Sequence, residues 1–92
     1  MMADSVPVLP RGVRRHFDTV RDVPVLLGPE RVIMLDEIGC AILDTVDGRA
    51  SLDTISEILA TRYGAPKDAV LADVTEFLEG LANKKLVEVT DG

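Results

Sequence analysis

Tryptophan is absent from this 92-residue chain, and the only aromatic side chains are Phe17, Tyr63 and Phe77. Aliphatic packing must therefore carry the core. There is one cysteine, Cys40, and one histidine, His16. A single cysteine closes no internal disulfide, and one residue of each soft ligand type cannot build a structural zinc site. Cys40 falls about a turn into a predicted helix, where a dipole could activate a thiol, but a small hydrophobe on a helix flank is the simpler reading. His16 stands among charged neighbours and reads as solvated. No catalytic residue, metal or cofactor is expected. No stretch approaches the roughly 18 apolar residues of a membrane span, and Met1 to Pro10 lacks a basic-then-apolar leader. With an unpaired cysteine, this points to the reducing cytoplasm.

Basic residues are scarce in one half only. Residues 1–35 hold five Arg against Asp4, Asp18, Asp22 and Glu30, a net of +1, whereas residues 36–92 hold five Lys or Arg against twelve acids, a net of −7. An acidic surface repels phosphate backbones and favours basic partners, so no nucleic acid partner is expected. At this length one domain is expected, and a chain so short buries only about 60 to 65% of its unfolded surface, which leaves little room for a large internal active site.

What is present is organised around Val25 to Asp36. Two short apolar runs flank Gly28-Pro29, which cannot sit inside a strand or helix, and Asp36 suits a helix N-cap. The segment reads as a hairpin whose second strand leads directly into a helix. Before it, residues 1–10 contain Pro7 and Pro10 without periodicity and read as a mobile or extended lead-in. From Arg11 an alternating pattern predicts a strand to Val20, Arg21-Asp22 a turn, and Val23 to Leu27 a second strand. Pro24 lacks a donor and belongs on an edge or at a strand start. The third strand, Arg31 to Leu35, is apolar on both faces and wants cover on both.

After it the pattern is helical. Ile38, Ala41, Ile42 and Thr45 form one stripe, closed by Asp47-Gly48; Ser51 caps a second helix that stops at Gly64; Ala65-Pro66 opens a third, with Val70, Leu71, Val74, Phe77, Leu78 and Leu81 as its stripe, ending near Asn83. Leu86 to Val89 reads as a final short strand before a frayed tail. The expected fold is α+β: an N-terminal three-stranded antiparallel sheet, a three-helix bundle and a short C-terminal strand, a layout compatible with a winged helix.

Two binding readings compete with a third. A winged-helix DNA-binding regulator would place cations on the third helix, but that helix offers Asp68, Asp73, Glu76 and Glu79 against Lys67 and the terminal Lys84-Lys85. A carrier protein would present an Asp-Ser-Leu helix start, and Ala50-Ser51-Leu52 lacks the acid. In the third reading, the third strand leaves one edge free and templates an incoming extended peptide, with the third helix as the far wall of a groove. The alternative for that strand is an ordinary internal core strand. An exposed edge could also join two copies, so a homodimer or exchanged hairpins are expected at high concentration.

The run Leu26-Leu27-Gly28-Pro29-Glu30-Arg31-Val32 followed by Leu35-Asp36 resembles the central signature of the PqqD family, small peptide chaperones of pyrroloquinoline quinone biosynthesis. The likeness extends from Pro10-Arg11-Gly12-Val13-Arg14 through Ala41-Ile42-Leu43, Asp47-Gly48 and Asp73-Val74 to Leu86-Val87. The chain departs from it at Pro24, where many relatives carry a large aromatic such as tryptophan. The resemblance implies a RiPP recognition element: a winged-helix-like domain, here residues 11–90, that holds a ribosomally made precursor peptide as an added strand and presents it to a radical SAM enzyme. It implies a peptide groove with Arg31, Val32, Ile33, Met34 and Leu35 supplying backbone hydrogen bonds, and Leu71, Val74, Thr75 and Leu78 supplying contacts from the helix.

Overall fold

The computed structural model describes residues 1–91. Its elements run β1 (Ser5–Val8), β2 (Arg14–Asp18), β3 (Val23–Leu27), β4 (Val32–Met34), α1 (Glu37–Thr45), α2 (Leu52–Tyr63), α3 (Lys67–Asn83) and β5 (Glu88–Asp91). The strands make two antiparallel sheets, one of β2, β3 and β4 in that order and one of β1 with β5.

The helix boundaries follow from local chemistry. The Asp36 carboxylate accepts the Gly39 amide at 2.7 Å and starts α1; the Ser51 hydroxyl accepts the Thr54 amide at 3.1 Å and starts α2. Gly64, at φ 63°, ends α2 in the left-handed conformation that glycine adopts without a Cβ penalty. Pro66 is the cap residue of α3, and the helix begins at Lys67. At the other end of α3, the Lys85 and Leu86 amides donate to the Ala82 and Leu81 carbonyls, both at 2.9 Å, with Lys85 itself left-handed at φ 62°. This closure draws Leu86 and Val87 into the core, which delays the final strand to Glu88–Asp91 instead of the expected Leu86 to Val89.

The core is aliphatic as expected. Leu26 from the three-stranded sheet and Leu35 just after it meet Ile42, Leu52, Ile55, Leu59, Val74, Leu78 and Leu81 from the helices, with Leu86 and Val87 closing one end. Ser56 is the buried polar exception in α2, and its hydroxyl donates to the Leu52 carbonyl at 2.7 Å.

One expectation needs correction and another is met in part. Residues 1–10 are more than a lead-in: Ser5–Val8 pairs with Glu88–Asp91, Ser5 and Pro7 are buried, and the Ala3 carbonyl accepts the Asp53 amide at 2.8 Å. A four-residue strand with proline inside carries too little periodicity to register in sequence. Pro24 is off the sheet edge but near a strand start, one of the two expected places: it is the second residue of the central strand, opposite Phe17 on one side, with its carbonyl accepting the Leu35 amide on the other. Because its nitrogen has no hydrogen, the β3–β4 ladder loses a rung there, and β4 ends at Met34.

Candidate functional site

Among the described residues β4 has one hydrogen-bonded neighbour in its sheet, so its other edge carries no strand. The register pairs Val25 with Met34, Leu26 with Ile33 and Leu27 with Val32. Just outside those rungs, the Leu35 amide donates to the Pro24 carbonyl and the Gly28 amide to the Arg31 carbonyl, both at 2.9 Å. In an antiparallel ladder the inward-pointing residues alternate. Arg31, Ile33 and Leu35 therefore turn their backbone groups toward β3, and Val32 and Met34 turn their N–H and C=O groups outward. The strand alternatives left open by sequence are thus resolved in favour of an edge strand.

The side chains repeat the division. Leu35 is buried and Ile33 half-buried against the core, while Val32 and Met34 are 52% and 65% exposed. The outward-facing rung residues thus also present apolar side chains on the outer face of the sheet, around the buried Val25.

The hairpin turn fixes one end of this edge. A methyl group added at Gly28 would overlap Leu86 Cδ2, so a side chain there would force the buried Leu86 side chain to move where the turn seats on the junction after α3. That seating creates a depression of about 320 Å³ between Pro29, Glu30 and Arg31 on one side and Asn83, Lys84, Lys85 and Leu86 on the other. At the other end β4 runs into α1. There Phe77 of α3 lies under the first turn: a Cβ on Gly39 would stand 3.2 Å from Phe77 Cε1 and Cζ. Ile38, half exposed, borders an apolar cavity of about 160 Å³ shared with Ala41, Val70 and Asp73.

Of the α3 residues read from sequence, Val74 and Leu78 are fully buried in the core and support the site from beneath. Leu71 and Thr75 are half-buried and line a broad surface with Asp68, Ala72, Glu76 and Glu79, to which β4 contributes nothing. At 100° per residue they lie roughly 120° and 160° around the helix from Phe77. The α3 residues that approach the start of α1 are Phe77 and Asp73, and near the hairpin lie Asn83 at the end of α3 and Lys84 and Lys85 just after it. Sequence places Asp73, Phe77 and Asn83 on the helix and Lys84-Lys85 just past its end, but the rotation of α3 relative to β4 is set by tertiary packing.

Titration is perturbed away from this edge. Backbone amides of Arg21 and Val20 hold the Asp18 carboxyl below its ordinary value, and those of Ala50 and Arg49 do the same for Asp47. The Arg15 guanidinium, bonded to Asp44, is held above its ordinary value and ties β2 to the end of α1. Among the described residues no group of three or more metal-ligating side chains converges.

Comparison with known proteins identifies a family and related folds. Residues 25–87 match the family described as Coenzyme PQQ synthesis protein D (PqqD). The chain is 47% identical over 84 residues to the Bifunctional coenzyme PQQ synthesis protein C/D of Methylorubrum extorquens, covering 91% of this chain but 23% of that protein. It is 44% identical over 80 residues to a PqqA binding protein of Bradyrhizobium diazoefficiens, covering 87% and 78% of the two. Among solved structures it is similar to the solution NMR structure of the PqqD truncation of Methylobacterium extorquens PqqCD, a functional and stand-alone RiPP recognition element, with TM-score 0.77, 47% identity, and 90% and 88% of the chains covered. It is also similar to TbiB1 in complex with the TbiA(beta) leader peptide, with TM-score 0.74, 25% identity, and 88% and 94% covered.

Proposed function

Because the chain belongs to the coenzyme PQQ synthesis protein D (PqqD) family, we propose that it is a non-catalytic peptide chaperone of pyrroloquinoline quinone biosynthesis, working in the cytoplasm. It takes the ribosomally made precursor peptide as an added strand on β4 and presents it to a radical SAM enzyme.

The observation that carries this reading is the open β4 edge, where Val32 and Met34 offer outward N–H and C=O groups flanked by their own exposed apolar side chains. The leader peptide held by TbiB1 supports the same class of ligand. The open face of α3 carries Asp68, Glu76 and Glu79, the wrong sign for a duplex. A three-residue ladder in a shallow groove buries less than a standard interface, so affinity near micromolar, about −8 kcal/mol, is expected.

The test is titration of isotope-labelled protein with precursor peptide and, separately, with duplex DNA. Saturable peptide binding that shifts the amide signals of residues 31–35 is expected. Duplex binding that steepens at low salt, with no response to peptide, overturns the proposal.

A further inference from the structure

The depression at the hairpin end of β4 is unusual in charge for this protein. Net charge is −6 overall, yet the depression is lined by Arg31, Lys84 and Lys85 against the single acid Glu30. Among the described residues, none of the three cations has a carboxylate within 4.0 Å, a state they share with Arg11, Arg14, Arg49 and Arg62; what sets them apart is that they line one depression together. Lys84 follows the last turn of α3, where the helix dipole favours a cation. Lys85 has no such excuse. It occupies the left-handed position of the helix closure, φ 62°, where glycine is the relaxed residue and a side chain with a Cβ is strained. Arg31 precedes β4 directly, so the three charges stand where a strand added along Val32 and Met34 leaves the ladder.

We infer that this depression is an anion subsite that binds an aspartate or glutamate side chain of the added peptide strand and so sets its register on β4. The inference rests on the strand-addition reading above. A strand slips in steps of two residues without exchanging its faces, and a three-residue ladder alone offers little to prevent it. A fixed carboxylate contact at one end selects one register. Opposite charge in a partly enclosed depression also speeds encounter and is weakened by salt.

The experiment uses the full chain and three synthetic peptides: the precursor peptide, the same peptide with Asp and Glu replaced by Asn and Gln, and the same peptide with only its C-terminal carboxylate amidated. The variants are Lys85→Gly, Lys84→Gln and Arg31→Gln. Lys85→Gly relieves a strained position, so it should raise the unfolding midpoint while weakening the unmodified peptide two- to fivefold, the range of a single exposed ion pair. A triple variant should lose tenfold or more at low salt, with the difference shrinking above about 0.5 M salt. The Asn/Gln peptide should bind wild type and variants alike, and the amidated peptide should behave as the unmodified one. Equal affinity of wild type and triple variant for the unmodified peptide overturns the subsite, as does a difference between them that vanishes on C-terminal amidation or persists with the Asn/Gln peptide. If wild type binds no peptide at all, the strand-addition reading has failed rather than the subsite alone.

Discussion

Replacing single backbone amides by esters across residues 32–35 removes one donor at a time without the dihedral constraint of proline. The register makes the outcome specific. An ester at Leu35 deletes the 2.9 Å bond to the Pro24 carbonyl, and one at Ile33 deletes the donor of the Leu26–Ile33 rung; each should lower fold stability by about 1 kcal/mol. Esters at Val32 and Met34 delete donors that face away from β3. An ester also makes the preceding carbonyl a poorer acceptor, and the carbonyls before Val32 and Met34 are those of Arg31 and Ile33, which face β3. These two variants should therefore lose a fraction of 1 kcal/mol in the fold but about fivefold in peptide affinity, the equivalent of about 1 kcal/mol. Urea unfolding reads the first quantity and calorimetric titration the second. If all four esters destabilise the fold equally and none selectively weakens binding, the outward assignment of Val32 and Met34 is wrong and the peptide sits elsewhere.

Gly28→Ala should cost about 1–3 kcal/mol in unfolding free energy, because the added methyl meets Leu86 Cδ2 and the Leu86 side chain, fully buried, must repack to make room. Leu78→Ala should cost about 2–5 kcal/mol and act on binding only through the fold, whereas Thr75→Ala should change stability by less than about 0.5 kcal/mol; paired denaturation and titration separate the two effects. The folded state favours the charged forms of Asp18 and Asp47, so their contribution is present above their ordinary value of 3.8 and is lost as pH falls below it. A double Asp18→Asn, Asp47→Asn variant should accordingly show a flatter decline in urea midpoint between about pH 5 and pH 2 than the wild type.

The parts of the fold legible in sequence were those with a local cause. Asp36, Ser51 and Gly64 mark helix ends through bonds made within three or four residues, and all three do so in the structure. The hairpin at Gly28-Pro29 is equally local. Parts with a distant cause were hidden. β1 exists because Glu88–Asp91 lies alongside it, eighty or more residues away in sequence. Val74 and Leu78 share the apolar stripe with Leu71, and periodicity marks the stripe without saying which flank of it meets another element. The site divides likewise. Edge residues Val32 and Met34 could be named from the run that contains them, but their outward parity required the two flanking hydrogen bonds of Leu35 and Gly28. Phe77 reaches the start of α1, and the Lys84-Lys85 pair reaches the hairpin turn, only through the packing of α3.

Amide hydrogen exchange in the free protein and in the peptide complex tests strand addition most directly. In the free protein the Val32 and Met34 amides should exchange far faster than those of Ile33 and Leu35. With peptide at one hundred times its Kd, exchange of the amides bonded to the added strand should slow by up to about a hundredfold, while Ile33 and Leu35 are protected in both states. Protection of Val32 and Met34 without peptide, or no change when peptide saturates the protein, contradicts the account.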